Sequence, residues 1–123
     1  MIKEVAFFAH PTHDMEAAKR FYGEQLGLTP GPDFIIWAEF TTPDGQTIAL
    51  DTVSAKNSEH PKPYLALETD DLAAEITRLT DAGVTVLMEP WSNHDPEGNE
   101  VCRMAIVMDP NGNPVMLHQN TGS

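Results

Sequence analysis

Two short stretches of the chain end in residues that could do acid–base or metal chemistry. PDGQTIALD, residues 43–51, ends in Asp51, and PNGNPVMLH, residues 110–118, ends in His118. Pro, Gly and Leu recur at the same offsets, so the Asp51 carboxylate and the His118 imidazole occupy equivalent places in a repeated phrase. A carboxylate and an imidazole can each bind a divalent metal or transfer a proton.

Each phrase contains a turn pair, Asp44-Gly45 or Asn111-Gly112, between two apolar runs, which predicts a β-hairpin. The predicted strands are FIIWAEF (34–40) with QTIALDTV (46–53), and VCRMAIV (101–107) with PVMLHQ (114–119).

The register of the first hairpin decides where Trp37 and Glu39 point. A two-residue loop pairs Ala38 with Asp51 and Phe40 with Ala49. Trp37 and Glu39 would then lie on the face opposite Ala49. We therefore expect Trp37 to be structural. In the opposite orientation, Trp37 beside Glu39 would suit a cationic or amphipathic ligand.

A strand and a helix precede each hairpin. Asp14 and Asp71 are the predicted N-caps, and Gly27 and Gly83 end the helices. The apolar stripes at helical spacing are Met15, Ala18, Tyr22 and Leu26 in the first helix and Leu72, Ile76 and Leu79 in the second. TVLMEP adds a strand after the second helix, whereas the equivalent strand of the first half, near LTPGPD, could be merged or displaced.

The pattern predicts an α+β fold: one domain over residues 1–123, made of two strand–helix–strand modules. Module one spans about 1–53, a polar linker about 54–63, and module two about 64–119.

Composition limits the function classes. The formal charge of −12 disfavours nucleic acid as a partner, because phosphates are repelled. An acidic surface could attract cationic small molecules, although on charge alone solubility is the better explanation. No apolar run reaches the roughly 20 residues of a membrane span, so no membrane partner is expected. A single cysteine, Cys102, excludes an internal disulfide and fits a cytoplasmic location.

The motifs D-M-x-x-A-x-x-F-Y-x-x-x-L-G-L (14–28) and D-P-N-G-N (109–113), together with the internal repeat, resemble the vicinal oxygen chelate superfamily. This superfamily includes glyoxalase I, extradiol dioxygenases and bleomycin resistance proteins. The resemblance implies two βαβββ modules that form an open half-barrel cavity for a small molecule, and a homodimer.

The resemblance also implies a divalent metal bound at four strand positions, which fall on Phe7, Ala49, Tyr64 and Met116 in this chain. None of these side chains is a suitable ligand for a hard metal ion. We therefore expect no metal site and no cofactor, and assign the four residues, with Asp51, to a ligand-binding cavity.

The resemblance further implies that the first and last strands of a module run side by side, which would bring Glu68 close to His118. This pair could act as a general base or hold a polar ligand group, and with Asp51 it could form a displaced metal site. Alternatively, these residues lie at solvent-exposed strand ends.

Two more residues have open roles. Trp91, predicted to lie in a loop before a strand, could cover the mouth of the cavity or be packing. Cys102 could be a nucleophile, but the neighbouring Arg103 would point to the opposite face. We therefore expect a small buried hydrophobic residue there.

These observations favour a small-molecule-binding protein without the usual divalent metal centre. The alternatives are a metal-dependent glyoxalase-like lyase or extradiol-type dioxygenase with a displaced ligand set, and a metal-free acid–base enzyme. The expected partners are a small cationic or amphipathic organic ligand and a second copy of the chain.

Overall fold

The computed structural model describes residues 1–56 and 61–122 and confirms the predicted α+β fold. The described elements are β1 (Ile2–Pro11), α1 (Met15–Lys19), β2 (Thr29–Asp33), β3 (Trp37–Thr41), β4 (Thr47–Asp51), α2 (Thr52–Lys56), β5 (Tyr64–Thr69), α3 (Leu72–Asp81), β6 (Thr85–His94), β7 (Glu100–Met108) and β8 (Pro114–Asn120). A π-helix, Arg20–Gln25, continues α1. None of the helices in the described ranges is long and apolar enough to cross a membrane.

The chain forms two compact units. The first unit is Phe7–Pro63, and the second unit is Tyr64–Ser123 together with Met1–Ala6. Part of the predicted linker, residues 57–60, lies outside the described residues, and α2 occupies its beginning.

In the first unit, the strand order is β2-β3-β4-β1. Strands β1 and β4 run parallel, with Ala9 opposite Ala49, and β3 pairs antiparallel with β4. The predicted cap is present, because the Asp14 carboxylate accepts a hydrogen bond from the Ala17 amide at 3.0 Å. One face of the sheet packs against the helix through a cluster of Ala38, Phe40, Leu50, Met15, Ala18, Tyr22 and Leu28.

Leu26 does not join this cluster, so the predicted apolar stripe is wrong at its last position. The π-helix is the reason: the Leu26 amide donates to the Phe21 carbonyl, five residues back, at 2.8 Å. The wider turn shifts the stripe out of α-helical register. Leu26 is therefore exposed, and Leu28 packs against the sheet instead.

In the second unit, the strand order is β5-β8-β7-β6. Helix α3 begins at Asp71, whose side chain accepts from the Ala74 amide at 3.1 Å, and ends before Gly83 at φ +87°, as predicted. The helix packs on one face of the sheet through Leu72, Ile76, Ala105, Val107 and Leu117, with Leu79 against this cluster.

The outermost strands, β2 in the first unit and β6 in the second, are irregular. β2 contains Pro30 and Pro32, and its pairing with β3 shifts between Pro30 and Asp33. β6 contains Pro90, and its pairing with β7 shifts at three places.

The loop of the first hairpin has three residues, and the predicted two-residue loop is wrong. The Thr42 amide donates to the Gln46 carbonyl, and the Gly45 amide donates to the Thr42 carbonyl, both at 2.9 Å. Gly45 has φ +88°, the left-handed conformation that ends this type of loop with a bulge. The extra residue shifts the register by one, so Trp37 pairs with Asp51 and Glu39 with Ala49.

A one-residue shift turns side chains to the other face of a sheet. Trp37 and Glu39 therefore share a face with Ala49, and Ala38 and Phe40 lie beneath the helix.

The same loop closes three hairpins, at residues 42–46, 95–99 and 109–113. In the last two, an aspartate side chain accepts hydrogen bonds from the amides two and four residues ahead, at 2.8 to 3.0 Å. The sequence prediction placed the segment DPEGN, residues 95–99, in the same loop as Trp91 and did not identify it as the turn of a hairpin. Because it closes a long hairpin, Trp91 lies within β6, opposite Met104, and its predicted place in a loop is wrong.

We predict that Gly45→Ala lowers the free energy of unfolding by about 1 to 2 kcal/mol, the cost of a left-handed residue with a side chain. A Cβ at this position would meet no atom within 4 Å, so the cost comes from the backbone alone. Urea unfolding measures it. Gly31→Ala, where a Cβ would make ordinary contacts of 3.5 Å and longer, is the matched control. Equal stability of the two variants would contradict the assigned loop.

Candidate functional site

The faces of the second unit's sheet are assigned by packing. Leu67, Ala105 and Leu117 lie on the α3 side or pack against its cluster. Because side chains alternate along a strand, their neighbours Glu68, Met104 and His118 point away from α3. We call this side the helix-free face of the second unit.

A histidine–carboxylate pair lies on this face. Glu68 and His118 are directly opposite each other on β5 and β8, and His118 Nδ1 is 2.6 Å from Glu68 Oε1. The Asn120 amide donates to Glu68 Oε2 at 2.7 Å, so both carboxylate oxygens are held. The contact that the family resemblance implied is therefore present. The alternative of solvent-exposed strand ends does not describe these side chains, which are only 13% and 17% exposed.

Cys102 extends this pair. Cys102 is on β7, opposite Asn120 of β8, and Met104, two residues further along β7, is opposite His118. The Cys102 and His118 side chains therefore lie on the same face of neighbouring strands, close enough for each to shift the pKa of the other. On the next strand, Asn93 lies opposite Cys102, and its amide nitrogen donates to Sγ at 3.5 Å. We call Glu68, His118, Cys102 and Asn93 the polar row, since they lie in one line across four strands.

The sequence analysis missed this role of Cys102. The residue is buried, as expected, but its sulfur faces a histidine rather than the core. The missing signal is the register of the DPNGN hairpin. A three-residue loop there places Cys102 two positions from the partner of His118 on the same face, and Asn93 follows from the DPEGN loop.

Burial and hydrogen bonding act in opposite directions on the two central groups. Burial lowers the pKa of His118, but the hydrogen bonds to Cys102 and Glu68 and their negative charges raise it above its ordinary value of 6.5. Burial raises the pKa of the Cys102 thiol, but the hydrogen bonds from His118 and Asn93 bring it below its ordinary value of 9.0. Both shifts favour a thiolate beside an imidazolium.

The other predicted cavity residues of the second unit surround this row with apolar surface. Tyr64 and Met116 are buried. Because side chains alternate along a strand, they lie on the same face as Glu68 and His118. Trp91 is opposite Met104, which is itself opposite His118.

The first unit has its own helix-free face, which carries Phe7, Ala49, Asp51, Trp37 and Glu39. The rings of Phe7 and Trp37 meet edge to face at 5.3 Å. Trp37 Nε1 donates to Glu39 Oε2 at 2.8 Å. The structure thus corrects the orientation expected for Trp37 and places an aromatic pair beside a carboxylate.

The Asp51 side chain caps the N-terminus of α2. Its Oδ1 accepts from the Val53 amide at 2.8 Å, and its Oδ2 accepts from the Ser54 hydroxyl at 2.6 Å. This carboxylate is therefore engaged in capping a helix.

The residues at the four metal positions of the superfamily that the sequence resembles do not fit a metal ion. Phe7 and Ala49 have no donor atom, and Tyr64 and Met116 offer a phenol and a thioether, which are poor ligands for hard cations. Across residues 1–56 and 61–122, no three or more His, Cys, Asp or Glu side chains are grouped so that they could hold a metal.

The two repeated sheet units, each with a helix on one face, define the class of protein. A family model for the Glyoxalase/Bleomycin resistance protein/Dioxygenase superfamily matches residues 5–117. The chain belongs to this superfamily, whose members usually bind a divalent metal. A search of curated proteins found no match.

Solved structures share the fold. A superfamily member from Vibrio splendidus is 14% identical with a TM-score of 0.72, and the match covers 98% of this chain and 99% of that one. Methylmalonyl-CoA epimerase from Mycobacterium tuberculosis is 20% identical with a TM-score of 0.75, covering 98% and 89%. A Mn(II)-bound glyoxalase from Novosphingobium aromaticivorans is 19% identical with a TM-score of 0.66, covering 98% and 40%.

We predict that Glu68→Gln lowers the pKa of His118, because the variant loses the negative charge beside the imidazolium. A raised folded pKa stabilises the fold fully below the unfolded value of about 6.5. This contribution is lost as pH rises through the folded pKa. The variant should therefore lose less stability than the wild type above pH 6.5. NMR titration of the His118 ring and urea unfolding against pH measure both effects.

Glu89→Gln, which removes the same charge at an exposed position of β6, is the control and should leave the His118 titration unchanged. An unchanged His118 pKa in Glu68→Gln would contradict the assigned pair.

Proposed function

We propose that this protein is a metal-independent small-molecule-binding protein of its superfamily, with a ligand held on the helix-free face of the second unit. One observation carries the proposal: a partly buried Glu68–His118 pair, with 2.6 Å between Oε1 and Nδ1, lies on the face that carries Tyr64 and Met116. The positions that hold a metal elsewhere have side chains unsuited to ligation, and polar groups suited to ligand binding lie next to them.

The charge of the chain favours a neutral or cationic ligand. Methylmalonyl-CoA epimerase, among the similar structures, acts on a coenzyme A ester, as its name states. The phosphates of such an ester would approach a protein with a formal charge of −12 and be repelled. We therefore propose a different ligand class, a small amphipathic molecule without phosphate groups.

The helix-free face of the first unit carries groups that would favour binding of a cation to that unit. Trp37, Phe7 and Glu39 combine aromatic surface with a carboxylate on one helix-free face. Aromatic faces and nearby carboxylates both attract ammonium groups. The hairpin register is what brings these side chains to that face.

A metal-free acid–base enzyme is the second candidate function. The Glu68–His118 contact favours it, since a histidine oriented by a carboxylate is a common general base. In this proposal, His118 would remove a proton from the bound ligand and return it. The displaced metal set receives no such support, because Asp51 caps α2.

A homodimer and a cytoplasmic location complete the proposal. Phe34 and Ile35 of the first unit are 63% and 92% exposed, and exposed apolar side chains of this size favour association with another chain.

We predict that protein purified without chelator contains far less than one divalent metal ion per chain, measured by inductively coupled plasma mass spectrometry. The physical reason is that the side chains at the four metal positions offer no suitable donor atom for a hard cation. His118→Ala should leave the metal content unchanged. Stoichiometric zinc, nickel, iron or manganese that disappears in His118→Ala would overturn the metal-free proposal and favour lyase or dioxygenase chemistry.

We predict that Glu39→Gln weakens the binding of benzyltrimethylammonium about threefold to tenfold, because a cation loses its carboxylate partner. Quenching of tryptophan fluorescence or calorimetry measures the affinity. Glu24→Gln, an exposed residue of the π-helix, is the charge-matched control. Equal loss in both variants would assign the effect to net charge and contradict a specific cation site at Trp37.

A further inference from the structure

We propose that Cys102 is a nucleophilic thiol, oriented and activated by the polar row, that adds covalently to small neutral α,β-unsaturated carbonyl compounds. The proposal rests on the ligand-binding function proposed above, since it uses the same helix-free face. It goes beyond that function because it assigns bond formation to the sulfur of a residue that binding alone does not require.

The geometry is that of a nucleophile, a base and an orienting acid. The Asn120 amide fixes the Glu68 carboxylate at 2.7 Å, and Glu68 holds His118 Nδ1 at 2.6 Å. Cys102 lies on the neighbouring strand, on the same face and two residues from the residue opposite His118, so the imidazole is placed to exchange a proton with the thiol. A cysteine activated by a histidine, itself oriented by a third group, is the arrangement that nucleophilic catalysis uses.

Neighbouring strands of one sheet supply all these groups, so their spacing is set by backbone hydrogen bonds. Glu68, His118, Cys102 and Asn93 come from β5, β8, β7 and β6 in spatial order. Asn93 donates to Sγ from the side away from His118, at 3.5 Å, which favours negative charge on sulfur. Groups on strands keep their positions better than groups on loops.

The reaction balances without an oxidant, a metal or a leaving group. The Cys102 thiol gives its proton to the His118 imidazole. The thiolate then forms a carbon–sulfur bond to the β-carbon of the unsaturated carbonyl, and the electron pair of the double bond moves towards the carbonyl oxygen. The imidazolium protonates the α-carbon as the carbonyl re-forms. The net result is addition of the S–H bond across the carbon–carbon double bond.

The surroundings of the sulfur select for small, uncharged reagents. Cys102 is only 9% exposed, and the chain carries a formal charge of −12, so bulky or anionic reagents are disfavoured. Met104 and Trp91 line the same face on the adjoining positions of β7 and β6, which suits an apolar electrophile. Disulfide exchange within the chain is excluded, because the sequence has no second cysteine.

The test uses N-ethylmaleimide, a small neutral α,β-unsaturated imide, at pH 6, with adduct formation followed by intact-protein mass spectrometry. Cys102 is the sole cysteine of the sequence, so the site of the adduct is unambiguous. The folded protein should react at least tenfold faster than the same protein unfolded in urea, whose thiol is mostly protonated at this pH. His118→Gln should reduce the rate at least tenfold, and Glu68→Gln should reduce it less.

His94→Gln is the matched control: it removes an exposed imidazole at the end of β6 in the same unit and should leave the rate unchanged. If His118→Gln does not fold, the pH dependence of the wild-type rate replaces it. Between pH 8 and pH 6, the rate of adduct formation in the folded protein should fall much less than the roughly tenfold per pH unit expected of an ordinary thiol. A steep loss of this size would overturn the proposal.

Further outcomes separate this proposal from the function on which it rests. No adduct in the folded wild type would overturn the covalent step alone, because reversible binding to this face does not require the sulfur. Reaction no faster than in urea, or equal rates in the wild type and His118→Gln, would also overturn it. A Cys102→Ser variant that forms no adduct but still binds ligand reversibly would support both proposals. A folded wild-type protein that binds no ligand would overturn the binding function itself.

Discussion

The left-handed glycine at the end of each hairpin loop is the constraint on which the rest of the molecule depends. Gly45, Gly98 and Gly112 have φ between +82° and +89°, and each ends a three-residue loop. The length of such a loop determines which residues of the two strands lie opposite each other. Because side chains alternate across a sheet, the register decides which residues pack against the helix and which remain free to meet a ligand.

Much of the fold could be predicted from the sequence because its signals are local. Asp14 and Asp71 cap helices, and Gly27 and Gly83 end them, through contacts within a few residues. The errors arose where one extra residue changes a geometry without changing the pattern. A π-helical turn displaced Leu26, and a bulged loop reversed Trp37, although the apolar periodicity reads the same in both arrangements.

Only part of the candidate site could be predicted from the sequence, for the same reason. Glu68 and His118 could be paired from the family resemblance, which implies that the first and last strands of a module run side by side. Cys102 and Asn93 could not, since their alignment with His118 depends on the exact length of two loops. The chemistry of the row is collective: each group is polarised by the next, so its properties cannot be read from a residue taken alone. A buried cysteine is ordinary until its neighbour is known.

The irregular terminal strands bear on how the protein meets other copies of itself. Regular outer strands present free backbone groups that recruit further strands and start aggregation. Prolines remove amide donors from β2, and shifts in pairing distort β6, so neither strand offers an even row of donors and acceptors. Copies of this chain would then associate through their side chains rather than by adding strands to the sheet. A protein rich in β-structure could therefore stay dissolved at high concentration.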